Sequence, residues 1–97
     1  MQEGRRRARN SDRLLVQIFS EEKPLANEAC TTQNLSSLGA RLITERSWSL
    51  NSRVVVKSPA GDLLARARVV YCQPLNGKGF AVGLEFFLLT GELAMRV

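Results

Sequence analysis

Leu64-Ala65-Arg66-Ala67-Arg68-Val69-Val70-Tyr71, followed by Asn76-Gly77-Lys78-Gly79 and Phe80-Ala81-Val82-Gly83-Leu84-Glu85-Phe86, is the stretch whose reading decides the fold. Side chains on a strand alternate between faces, so the first run sets Ala65, Ala67, Val69 and Tyr71 on one face. Leu64, Arg66, Arg68 and Val70 share the other face. The middle run supplies residues that accept positive φ, as a tight reversal requires. The chain then returns with Phe80, Val82, Leu84 and Phe86 on one face and Ala81, Gly83 and Glu85 on the other. This pattern predicts a long antiparallel hairpin.

Working back toward the N-terminus, the same period recurs in short pieces. Leu14, Val16 and Ile18 alternate with Gln17, a half-buried strand that Glu21-Glu22-Lys23-Pro24 interrupts. Further strands are predicted over Glu28 to Leu35, Ala40 to Thr44 and Arg53 to Lys57, the last through the β-propensity of Val54 to Val56. Ser58-Pro59-Ala60-Gly61-Asp62 reads as the turn into the long hairpin. Thr90 to Val97 reads as a short helix, with Thr90 as N-cap and Leu93 and Met95 to pack. Six strands without a long helical period imply a mainly β fold, an antiparallel barrel or sandwich. An end on Met95-Arg96-Val97, with no polar tail, suits a domain cut from a longer protein.

A chain of 97 residues holds one domain, and 44% hydrophobic with 24% charged residues is a globular composition. No apolar run approaches the roughly 20 residues that span a bilayer, and no secretory leader is visible, so a cytoplasmic location is expected. Residues 1 to 13 carry five arginines against Glu3 and Asp12, which places +3 of the net +5 in one segment. That segment has no large apolar residue beyond Met1. It is expected to be a flexible arm, residues 1–13, ahead of a barrel domain at residues 14–97.

Enzyme chemistry finds no machinery in this chain. Histidine is absent, and no glycine-rich phosphate loop or paired-carboxylate motif stands out. Glu21, Glu22, Glu28, Asp62 and Glu92 fall at turns or element ends, where solvated carboxylates are ordinary. Cys30 and Cys72 match no metal-ligand spacing and read as small buried strand residues, with no metal and no cofactor implied.

Two features can carry binding. Arg5-Arg6-Arg7-Ala8-Arg9 offers guanidinium groups that grip phosphate oxygens bidentately and can stack on a purine; alternatively, such a run is a solvated tail. Asn34-Leu35-Ser36-Ser37-Leu38-Gly39 offers amide and hydroxyl groups beside a glycine that allows close approach; alternatively, it is only a turn. Arg66 and Arg68 extend a site if their strand face turns toward it, and otherwise are solvated.

Taken together, an Arg-x-x-x-Arg arm just before the first strand and an Asn-x-Ser-x-x-Gly turn about two strands in resemble the two-part signature of PilZ domains. The match continues through Ala40-Arg41-Leu42 and into Val82-Gly83-Leu84-Glu85-Phe86, which is similar to the family's late Val-Gly-x-x-Phe strand. The resemblance implies a six-stranded antiparallel barrel that binds the bacterial second messenger cyclic di-GMP. It assigns phosphate and guanine contacts to Arg5 and Arg9, and the fixed wall to Asn34, Ser36 and Gly39, with Arg6 and Arg41 as further ligand-binding residues. Arg9 and Arg13 form a second Arg-x-x-x-Arg register; Arg5 and Arg9 leave the short lead into the strand that the family usually has. In the family the position before the first motif arginine is linked to whether one ligand or a stacked pair is held, and Gly4, with no side chain there, implies by this resemblance a stacked pair.

The resemblance further implies that ligand orders the arm over the barrel and so signals to a downstream protein or an attached domain. Two rivals remain at this point. One is a small barrel binding single-stranded nucleic acid, with Trp48, Phe80 and Phe86 as stacking platforms or as core. The other is a PilZ-like adaptor that makes protein contacts without nucleotide.

Overall fold

Residues 13–22 and 26–91 are described by a computed structural model of the chain. Six strands run in sequence: β1 (Leu15–Ser20), β2 (Asn27–Leu35), β3 (Gly39–Thr44), β4 (Arg53–Lys57), β5 (Leu64–Pro74) and β6 (Phe80–Thr90). All neighbours are antiparallel, and the order β1-β2-β3-β6-β5-β4 closes on itself as a barrel. Closure is made where Gln17 to Ser20 of β1 pair with Val54 to Lys57 of β4. Among the described residues no helix is long and apolar enough to cross a membrane.

Alternation along each strand fills the barrel. Val16 and Ile18, Cys30, Thr32 and Leu35, Leu42 and Thr44, and Val54 and Val56 are buried from the first four strands, with Ala65, Ala67 and Val69 from β5 and Val82 and Leu84 from β6. The long hairpin is present as its pattern requires. Gly77 and Gly79 have φ of 74° and 89°, in the left-handed region that glycine enters without a steric penalty. Leu75 N–H donates to the Gly79 carbonyl at 2.8 Å and completes the turn.

Two expectations for the ends of the hairpin are corrected. Thr90 does not cap a helix; it is the last residue of β6, paired with Leu64, because the hairpin ladder extends further than its turn-proximal pattern indicates. Residues 92–97 lie outside the described residues. Tyr71 does not share a face with Ala65, Ala67 and Val69. The β5–β6 register shifts between Val69 and Tyr71, so Val70 is an extra residue and the phase of β5 reverses beyond it. Tyr71 therefore lies outside the barrel with its ring against Gly83, where a Cβ on Gly83 would overlap the ring.

The carboxylates at turns do more than meet solvent. Glu28 accepts hydrogen bonds from the backbone N–H groups of Glu45 and Arg46 and from Trp48 Nε1 at 3.2 Å, tying the β3–β4 connection to β2 and seating Trp48 in the core. Asp62 accepts from Ser58 Oγ at 2.5 Å across the β4–β5 turn. Glu21 accepts from Arg66 Nε at 2.9 Å, and that hydrogen bond holds its carboxyl below the usual carboxylate range. A depressed carboxyl contributes stability at neutral pH that disappears as pH falls through the acid range.

Cys30 and Cys72 sit in β2 and β5 as free thiols, Cys30 buried and Cys72 half-buried. Burial, with the nearby Glu28 charge, pushes the Cys30 thiol up to about 12. Since the thiolate is the reactive form, alkylation of the native protein at pH 8 should modify Cys72 first and reach Cys30 only on unfolding, as peptide mass mapping can read. Glu28→Ala should lower stability by about 1–3 kcal/mol, seen as a reduced urea midpoint. An unchanged midpoint would show that the loop holds itself.

Candidate functional site

The β2–β3 connection is a three-residue reversal, Ser36 to Leu38, built by its own polar groups. Ser36 N–H donates to the Gly39 carbonyl at 2.9 Å, and Ser36 Oγ accepts from Leu38 N–H at 3.1 Å. This is the local side-chain to backbone bonding that makes serine a turn residue. The turn is anchored from outside as well, since Phe86 N–H of β6 donates to the Leu38 carbonyl at 2.9 Å.

Gly39 is required for space rather than for conformation. Its φ is not in the positive region, but a Cβ there would overlap the Leu84 carbonyl oxygen of β6. Gly39 and Glu85 are directly paired, so the turn and β6 approach closely at the start of β3. The β2–β3 register shifts between Thr32 and Asn34, leaving Gln33 as the extra residue and bringing Asn34 opposite Arg41. Asn34 is exposed, and among the described residues its amide makes no hydrogen bond.

These residues line an open depression of about 500 Å³ on the outer surface, formed by Asn34, Ser36, Leu38, Gly39, Ala40, Arg41, Tyr71, Leu84 and Glu85. Four of the site residues predicted from sequence, Asn34, Ser36, Gly39 and Arg41, are thus brought together. Arg5, Arg6 and Arg9 lie outside the described residues.

Arg41 is held in place from two sides. Its Nε donates to Gln33 Oε1 at 2.6 Å and its Nη1 to Tyr71 Oη at 2.9 Å, with Cζ 5.7 Å from the Tyr71 ring centroid. Nη2 has no partner among the described residues and remains able to meet an acceptor. Leu38 projects beside it, 79% exposed. Sequence reasoning missed Tyr71, Leu38 and Glu85 as lining residues. A signal for Tyr71 was present: a glycine inside a strand, here Gly83, marks close approach by a large neighbour.

The electrostatics of the depression are modest. Glu85 is ion-paired to Arg68, with Nη2 to Oε1 at 2.6 Å, and Arg68 Nη1 donates to Asn51 Oδ1 at 2.9 Å. Arg41 is therefore the one guanidinium among the lining residues and has no carboxylate partner there. Arg66 is engaged by Glu21 and does not join the depression.

The chain enters the barrel beside this site. Leu14 N–H donates to Thr32 Oγ1 at 3.0 Å, and Thr32 N–H donates to the Leu14 carbonyl at 2.9 Å, two residues before Asn34 on the same strand. The candidate stacking aromatics face elsewhere: Trp48 is buried, and Phe80 and Phe86 pack against the core. Among the described residues no group of three or more His, Cys, Asp and Glu could hold a metal ion.

The family model described as PilZ domain matches residues 4–96. No curated protein matches the chain. Gly39→Ala should force the turn away from β6 and cost about 1–3 kcal/mol, as overpacking against a rigid neighbour does. Thermal unfolding would measure that loss, and a full-stability variant would show that the close approach relaxes freely.

Proposed function

Because the chain belongs to the PilZ domain family, a family of binding domains rather than catalysts, we propose that it is a receptor for cyclic di-GMP. In this reading the outer depression is the fixed half of the site. Asn34 presents both amide donor and acceptor atoms, Ser36 and Gly39 shape a turn that a ligand can approach closely, and Arg41 offers Nη2, which has no partner among the described residues, to a phosphate or carbonyl oxygen.

The observation that carries the reading is the entry of the chain at Leu14, hydrogen-bonded to Thr32 beside the depression. A doubly anionic ligand needs more positive charge than Arg41 supplies. Arg9 and Arg5 are five and nine residues ahead of Leu14, distances that an extended chain covers with spans of about 17 and 30 Å. The arm thus has the reach and the charge to complete the site, with Arg6 adding a further guanidinium. Ordering of the arm over the ligand is the event that a partner protein or attached domain reads. Gly4 leaves room at the start of the arm for a second, stacked ligand.

Isothermal calorimetry tests this directly. Cyclic di-GMP should bind the wild type with two ligands per chain, and Arg9→Ala should weaken binding by about ten- to a hundredfold, the loss of one charge-assisted contact. Ser36→Ala should weaken it as well. Silence of the wild type would overturn the reading. Binding of a short oligonucleotide alone, with steep salt dependence, would replace it with the nucleic-acid alternative.

A further inference from the structure

Glu85 is an unexpected residue to find at the mouth of a site for an anion. Its partner across the β3–β6 ladder is Gly39, so it stands beside the motif turn, and it lines the same depression as Asn34 and Arg41. Its side chain is 56% exposed. One oxygen, Oε1, takes the hydrogen bond from Arg68, while among the described residues nothing donates to Oε2.

An ionised carboxylate only accepts hydrogen bonds, and it repels phosphate. Whatever part of a ligand settles against Glu85 must therefore present donors. In a cyclic purine dinucleotide the phosphates and sugar oxygens cannot do so with a paired edge. Guanine can, through N1–H and the N2 amino group on adjacent ring positions. Adenine has an acceptor at N1 and no amino group at C2, so it would meet the carboxylate with a repelling lone pair. Arg68 offsets part of the Glu85 charge and so lowers the penalty of keeping a carboxylate near an anionic ligand.

We infer that Glu85 is the residue that selects guanine over adenine at this site, its carboxylate accepting from the Watson–Crick edge of one base. The inference rests on the cyclic di-GMP reading above and adds a specificity determinant outside the arm and the motif turn. Glu85 acts by direct contact with the base and not by setting the turn, since among the described residues its side chain makes no hydrogen bond to the β2–β3 reversal. Glutamine at this position would reverse part of the preference, because an amide pairs with adenine by donating and accepting together.

The test compares cyclic di-GMP with cyclic di-AMP by calorimetry on the wild type, Glu85→Gln and Arg68→Gln. The wild type should prefer the guanine ligand strongly. Glu85→Gln should narrow that preference by about tenfold or more, weakening cyclic di-GMP while strengthening cyclic di-AMP. Arg68→Gln breaks the same ion pair but keeps the carboxylate, and should retain the wild-type preference. A preference unchanged in Glu85→Gln, equal weakening of both ligands, or the same narrowing in Arg68→Gln would each overturn the inference while leaving the receptor reading intact. A wild type that binds neither ligand overturns the receptor reading itself, and this inference falls with it.

Discussion

Pairing of Gln17 to Ser20 with Val54 to Lys57 joins the first strand to the fourth and turns a six-stranded sheet into a barrel. Closure leaves no exposed sheet edge, which protects a β chain from pairing with its neighbours. It also decides where a ligand can be. A barrel takes about eight strands before its interior can hold even one small ligand. Here the interior is filled by residues such as Ile18, Leu42, Val54 and Val82. The side chains available to a ligand are therefore those that alternation points away from the core.

Two irregularities make that surface specific. The bulge at Gln33 brings Asn34 opposite Arg41, and the bulge at Val70 moves Tyr71 outward to meet the Arg41 guanidinium. Glycines accept the consequences: Gly83 lies beneath the Tyr71 ring and Gly39 against the Leu84 carbonyl. A regular ladder through both positions would leave Arg41 without its Tyr71 support. The site thus depends on departures from strand regularity, which is a common use of bulges.

Charge is distributed with a similar division of labour. Among the described residues the acidic groups mostly serve the fold. Glu28 secures the β3–β4 connection, Asp62 the β4–β5 turn, and Glu21 joins the end of β1 to Arg66 of β5. Of the net +5, +3 falls in residues 1 to 13, ahead of the barrel in sequence. The segment with the most concentrated charge in the sequence is thus distinct from the residues that pack the barrel.

The sequence by itself determined the six strands, the long hairpin and its glycine turn, because strand periodicity and positive φ are local requirements written in consecutive residues. It also carried the Asn34, Ser36 and Gly39 turn and the Arg5 and Arg9 arm as paired features. Periodicity alone left barrel and sandwich open; the choice came from a resemblance, and the strand order that realises it is a long-range pairing. Only the tertiary structure decided that Tyr71 faces outward, that Thr90 continues a strand, and that Glu28 holds a loop. Each depends on register between segments distant in sequence, and a single extra residue such as Val70 reverses every side chain that follows it. Glu85 became visible as a lining residue of the depression for the same reason, since its neighbour Gly39 is reached across the sheet and not along the chain.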